Sequence, residues 1–220
     1  MQIRRNNSTI SIILVTIFVM FCLGGCITAV FGTSILTAFN LLNSESYVGF
    51  DTSGQVPKVP SGDISAATHV FIHQYPFPED GWMTGIEYLN DSEAAGFEQS
   101  ERIYILILRP ENNQYHIINR IELMPDDQVP QWDGTTKIRF PKPVVVQAGD
   151  VFAHWQPDGQ AGGPIPLNQD DNSIDGLSNG QAGFLLEDIE IGKIIVPGGF
   201  SGKRDYFIRA TFKPLGGIFH

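Results

Sequence analysis

Glu101-Arg-Ile-Tyr-Ile-Leu-Ile-Leu-Arg109 is the most strongly patterned stretch of the chain. Extended backbone sends successive side chains to opposite faces, so Ile103, Ile105 and Ile107 share one side while Tyr104, Leu106 and Leu108 share the other. A strand that is apolar on both faces has to be covered on both, which makes 101–109 a central strand. Pro110-Glu-Asn-Asn-Gln114 reads as a turn into Tyr115–Leu123, and 101–123 is the best hairpin in the chain. Working outward, short period-two blocks recur at 69–75, 84–89, 135–140, 144–146, 150–156, 183–186, 191–196 and 204–212. In the last block Tyr206, Ile208, Ala210 and Phe212 fall on one side, and Phe207, Arg209 and Thr211 on the other. Turn signals separate the blocks: Pro125-Asp-Asp127, Gly162-Gly-Pro164 and Gly198-Gly199. Only 91–99 reads as a turn or two of helix, and a parallel fold would need longer helices for its crossovers. The pattern predicts an all-β domain, an antiparallel β-sandwich or jelly roll of roughly eight to ten strands.

Charge divides the chain unevenly. Its 220 residues carry 14 Lys+Arg and 24 Asp+Glu, a formal net charge of −10. Arg4 and Arg5 are the only charges before residue 43, and no charge occurs from Asn6 to Ser44. The acidic remainder argues against binding nucleic acid, because that affinity comes from cationic groups displacing counterions. Both cysteines, Cys22 and Cys26, precede residue 43, so no disulfide can form within the domain downstream. The expected organisation is an apolar helix serving as signal peptide or transmembrane anchor at 1–42, a linker at 43–68 and a β-sandwich at 69–216. A first short strand fits near Tyr47–Phe50.

The most apolar part of the front segment, Ile10–Phe31, is long enough as a helix to cover a hydrocarbon core of about 30 Å. Arginines before it and acids (Glu45, Asp51) after it place the bulk of the chain on the extracytoplasmic side. Leu23-Gly24-Gly25-Cys26 resembles the lipobox of bacterial lipoprotein precursors, and the resemblance implies lipidation at Cys26 after cleavage. It covers about the first 26 residues and implies nothing about the domain. Residues 27–42, ITAVFGTSILTAFNLL, stay apolar where a lipoprotein would carry a polar tether, which fits an uncleaved signal anchor. A secretory signal cut near Gly32 or Ala38 is the third alternative. All three bring the domain to a membrane or across it.

Candidate site residues follow from type and spacing. Asp171, Ser173, Asp175 and Gly176 match the first, third, fifth and sixth positions of a calcium loop, with Asp170 beside them as a further oxygen donor, although the twelfth position is Ala182 and no helix flanks it, so Ca²⁺ is the one cofactor the sequence suggests. Tyr75, Trp82, Trp132 and Trp155 stand in or beside Pro- and Gly-bearing loops, where rings stack on sugars or cap the core. His69 and His73 lie on one strand face about 13 Å apart, too far to share a zinc ion unless the strand bends, and His154 is the residue that would complete such a site. Lys137, Arg139 and Lys142 form a basic cluster expected on a solvated sheet face. Asn7 and Asn90 occupy glycosylation-type triplets.

No HExxH or phosphate loop occurs. The leading expectation is therefore a membrane-tethered binding or assembly domain, with an envelope protein or a glycan as partner. A carbohydrate-binding module is the second. The third is a glycan hydrolase using paired acids such as Glu187, Asp188 and Glu190, or Asp126 and Asp127.

Overall fold

The computed structural model describes residues 45–53, 67–90, 102–129, 131, 133–157, 165, 167–169, 179–184 and 189–215. The chain divides into two compact units, Met1–Ser44 and Glu45–His220. Everything described belongs to the second. The front segment, with Cys26 and the stretch expected to serve as signal or anchor, lies outside the described residues. So do the 91–99 segment expected to hold a helical turn and the 170–178 loop.

Among the described residues eleven strands form: β1 (Ser46–Gly49), β2 (His69–Ile72), β3 (Gly81–Leu89), β4 (Ile103–Glu111), β5 (Gln114–Leu123), β6 (Thr135–Val146), β7 (Val151–Trp155), β8 (Leu167–Gln169), β9 (Asn179–Phe184), β10 (Ile194–Tyr206) and β11 (Ile208–Pro214). A single 3₁₀ turn, Pro125–Asp127, is the one helical element among the described residues. Every ladder is antiparallel, and the strands make two sheets, β1-β11-β3-β6 and β5-β4-β7-β2-β9-β10-β8. A short further ladder, Ile194↔His116 and Ile195↔Tyr115, joins β10 back to β5. Strands β5, β4, β7, β2, β9 and β10 thus form a closed ring of neighbours.

That ring explains the doubly apolar β4. Ile103, Ile105 and Ile107 face a core shared with Met83, Ile86, Ile138, Phe140, Ile208 and Phe212 of the four-stranded sheet. Leu106 and Leu108 face a second core, with Val70, Ile72, Ile117, Val151, Ala153 and Ile195, all from strands of the ring. From Ile105 to Leu108 both faces are buried, and only Tyr104 at the start of the run is half-buried. The hairpin forms with Asn112 and Asn113 as a two-residue turn at φ 51° and 61°. Asparagine tolerates this left-handed region, and the turn's twist matches that of the flanking strands.

Four details depart from the sequence expectation. The domain starts at Glu45, not at residue 69, because β1 pairs with β11 from Ser46↔Phe212 to Gly49↔Arg209. Trp82 sits within β3 rather than in a loop, since that strand begins at Gly81. The blocks 135–140 and 144–146 are one edge strand, β6, running through Pro141 and Pro143 with a shift in its register against β3. Prolines are tolerated there because one side of an edge strand needs no ladder partner. Lastly, the run 204–212 breaks at Phe207, where the chain leaves the ring sheet and enters the four-stranded one.

Candidate functional site

The densest set of chemically active side chains lies inside the shared core. His73 follows β2, His154 is on β7, Gln156 follows β7, and Asp205 is near the end of β10. Register brings them together: Phe71 pairs with His154, and the His73 amide donates to the Phe152 carbonyl at 3.0 Å. The hydrogen bonds then run in one direction. His73 Nδ1–H donates to Asp205 Oδ1 at 2.9 Å, an oxygen that also accepts the Tyr206 amide at 2.8 Å. His73 Nε2 accepts from His154 Nδ1–H at 2.9 Å. His154 Nε2 accepts from the Gln156 amide nitrogen at 3.3 Å, and Gln156 Oε1 accepts the Ile165 amide at 3.4 Å. The tautomers are assigned from these partners. The Ile165 amide is decisive, because it orients Gln156 and so turns His154 Nε2 into an acceptor.

Aromatic rings seal this chain. His73 stacks on Phe152 with centroids 4.3 Å apart, and Tyr206 meets His154 edge-on at 4.4 Å. His73 and His154 are 0% and 2% exposed. Burial, and secondarily the neighbouring His73, holds His154 well below the usual imidazole range. His73 and His154 do come together, as a bend at the end of β2 would allow, but their nitrogens face each other and Asp205 rather than a common point. Among the described residues no group of three or more His, Cys, Asp or Glu is arranged to hold a metal ion. His69 instead meets the Thr68 hydroxyl at 2.8 Å. A hydrogen-bonded chain buried in this way orders the core.

A second network crosses the outer face of the four-stranded sheet. Arg209 pairs directly with Glu87, and Glu87 with Lys137, on adjacent strands. Arg209 Nε donates to Glu87 Oε1 at 2.9 Å, and its Nη2 donates to the same oxygen. Arg209 Nη1 reaches Asp51 at 2.9 Å, and the guanidinium lies 3.8 Å from the Tyr47 ring centroid. Lys137 Nζ is 2.9 Å from Glu87 Oε2, a contact that raises the Lys137 pKa. Arg139 donates to both oxygens of Glu45. Lys137 and Arg139 therefore share the exposed sheet face foreseen for them, each beside a carboxylate. A separate ion pair is bidentate, from Arg109 to the buried Asp150 at 2.8 and 2.9 Å, and the Gln147 amide donates to Asp150 Oδ2 at 2.8 Å.

The aromatic candidates separate. Tyr75 is half-buried where the shared core meets the Phe50, Leu89 and Phe207 cluster, so it caps that core. Trp82 is half-buried on the outer face of the four-stranded sheet, on the side opposite Met83. Trp155 belongs to the ring core: its ring stacks on Tyr104 at 5.4 Å, and Nε1–H donates to the Ala67 carbonyl at 2.9 Å. Arg120 lies 5.5 Å from the Tyr104 centroid, from the strand on the opposite side to Trp155. Trp82 and Trp155 thus lie on different sheets. Trp132 lies outside the described residues, as do the calcium-loop candidates Asp170, Asp171, Ser173 and Asp175. Asn90 is engaged: Oδ1 accepts from Thr136 at 2.6 Å and Nδ2 is buried, so its nitrogen is closed to glycosylation in the folded domain.

Two surface grooves involve described residues. One of about 490 Å³ flanks the β4–β5 turn. The other, about 720 Å³, runs between β5 and β6, lined by Ile118, Asn119, Arg120, Ile121 and Glu122 on one side and 140–145 on the other. The sequence marked Lys142 within it but not its partners on β5, since nothing local signals which edges adjoin. Among the described residues no helix is long and apolar enough to cross a membrane. No family model, no curated protein and no solved structure matches the chain.

Proposed function

We propose that the chain is a membrane-tethered, extracytoplasmic β-sandwich whose role is binding or assembly rather than catalysis. Support for the sandwich is the core to which both sheets contribute. Support for the tether is the uncharged stretch from Asn6 to Ser44, with arginines before it and acids after it. Lipidation at Cys26 and an uncleaved anchor are the two forms the tether takes in this proposal.

The observation that carries the binding role is the β5–β6 groove. Its volume of about 720 Å³ falls within the range of ligand and peptide sites. Ile118 and Ile121 offer apolar contact, while Asn119, Glu122 and Lys142 offer hydrogen bonds and both signs of charge. An extended segment of an envelope partner, with alternating apolar and polar side chains, matches that lining.

A photo-crosslinking residue at Asn119 in intact cells tests the proposal. A discrete adduct is expected, weakened by Lys142→Glu. Protease protection of the domain in intact cells would refute the outward orientation. An exposed domain with no adduct from position 119 or 142 would refute the groove. Glycan binding lost on Trp155→Ala, with no protein adduct, would move the assignment to a carbohydrate-binding module.

A further inference from the structure

We propose that the β5 edge inside the groove pairs with the same edge of a second copy of this chain, antiparallel and centred on Ile121. This rests on the reading of the β5–β6 groove as a binding surface, and it names the partner.

Register shows which backbone groups of β5 are open. Glu111 and Gln114 flank the two-residue turn and so exchange hydrogen bonds, after which the odd-numbered residues of β4 bond to β5. Before the register shift at Ile107/Leu108, Tyr115 and Ile117 therefore face away from β4, toward β10, and the Ile117 amide donates to the Lys193 carbonyl at 2.9 Å. The pairing with β10 goes no further, because the chain turns there: the Lys193 amide donates to the Glu190 carbonyl at 3.1 Å. Past the shift, Ile105 and Ile103 meet Ile121 and Leu123, so the outward groups belong to Arg120, Glu122 and Met124. The Met124 amide is taken by Asp127 Oδ2 at 3.0 Å. Among the described residues the amides and carbonyls of Arg120 and Glu122 meet no strand, and both residues are exposed.

The groove is lined by every residue from 118 to 122 rather than by alternate ones, so β5 presents its edge to it, not a face. An edge with open amides and carbonyls takes up a further strand. The opposite wall is no such strand: between Arg139 and Val144 β6 slips its register with β3, and Pro141 and Pro143 have no amide to donate.

Charge identifies the occupant. Two β5 edges laid antiparallel about a two-fold axis at Ile121 set Arg120 opposite the partner's Glu122, and Glu122 opposite the partner's Arg120. The same two residues carry the open backbone groups, so each opposite-charge pair also exchanges backbone hydrogen bonds. Both side chains share a face, held by Tyr104: its hydroxyl donates to Glu122 Oε1 at 3.1 Å, and the Arg120 guanidinium lies 5.5 Å from its ring centroid. At either end the exposed Met124 falls opposite the partner's Ile118, giving an apolar contact. Such self-complementarity is what a two-fold dimer requires.

The test uses the full chain in detergent, made with two different tags, and reads how much of one form is captured with the other. Arg120→Glu alone and Glu122→Arg alone each turn both cross-strand pairs into like charges and should weaken self-capture by about tenfold. Mixing the two single variants restores opposite charges at both pairs, as does joining both changes in one chain, and capture should return in each case. Capture unchanged in either single variant, or lost in both and restored by neither combination, would overturn the pairing. A parent chain that captures no second copy would overturn it as well. The photo-crosslinker at Asn119 separates the pairing from the groove: an adduct of twice the chain's mass is expected. An adduct with a different protein alone would overturn the second copy and leave the groove standing, whereas no adduct from position 119 or 142 would overturn both.

Discussion

Replacing His154 by glutamine separates the titration of the buried chain from its packing. Glutamine keeps one donor and one acceptor but titrates nowhere near neutrality, so at pH 7.5 the variant should lose only about 1–2 kcal/mol, from imperfect hydrogen bonds. The pH dependence is the informative part. Folded His154 is held well below the usual imidazole range, chiefly by burial, whereas the unfolded chain takes up that proton near pH 6.5. The unfolded state therefore binds more protons in the interval below about pH 6.5, and unfolding free energy falls as pH falls there, by about 1.4 kcal/mol per unit. Between pH 6.5 and 5.0 this amounts to about 2 kcal/mol, enough to cancel the initial advantage of the parent chain. Urea denaturation followed by tryptophan emission at each pH measures it. A gap between the two chains that stays constant from pH 7.5 to 5.0 would show that His154 is not kept neutral, and the one-directional hydrogen-bond chain would be wrong.

Other substitutions probe the frame. Ile105→Ala and Leu106→Ala face different cores, and each should cost about 2–5 kcal/mol in denaturant titration; a cost under 1 kcal/mol at either would mean β4 is covered on one side only. At Gly85 an added Cβ would lie 2.2 Å from the Ile138 carbonyl oxygen, so Gly85→Ala should lower stability by more than about 3 kcal/mol, and an unchanged melting temperature would refute the close approach of β3 and β6. Glu87→Gln strips the counter-charge from the largely buried Arg209 and should cost about 3 kcal/mol. Lys137→Met, at a side chain about half exposed, should cost under about 1 kcal/mol. Equal costs at the two positions would mean the ladder is screened throughout.

How much of this was legible beforehand depends on whether the determining contact is local. The double cover of β4 could be read directly, because alternation within one strand states what each face must meet. The Asn112-Asn113 turn could be read for the same reason, since backbone sterics at two residues decide it. The domain's start could be read only in part: a short strand near Tyr47–Phe50 is visible locally, but its membership of the domain depends on pairing with 209–212, far along the chain. The buried polar chain was equally out of reach. His73 meets His154 and Asp205 across separations of 81 and 132 residues, and no period in the sequence carries that information. Its one local trace is a histidine inside an otherwise apolar run, at 73 and again at 154. Glu87 and Arg209 left a similar trace as charges in the middle of strands.

The corner at Phe207 shows why an alternation can be correct in every side chain and still miss a change of sheet. Tyr206 ends a strand of the ring sheet and Ile208 begins one of the four-stranded sheet, yet both face the core between them. Because the two sheets present their inner faces to the same core, crossing from one to the other leaves the inward set at 206, 208, 210 and 212 unbroken. Phe207 marks the break only by what surrounds it: it is buried against Phe50 and Leu89, with Phe50 edge-on at 5.1 Å, and its carbonyl accepts the Leu89 amide at 2.9 Å. A period-two run reports which side of the backbone is wet, not which sheet the backbone is in. The same degeneracy hid the groove between β5 and β6, since the strands that form it are set by strand order, and strand order is written in long-range pairing alone.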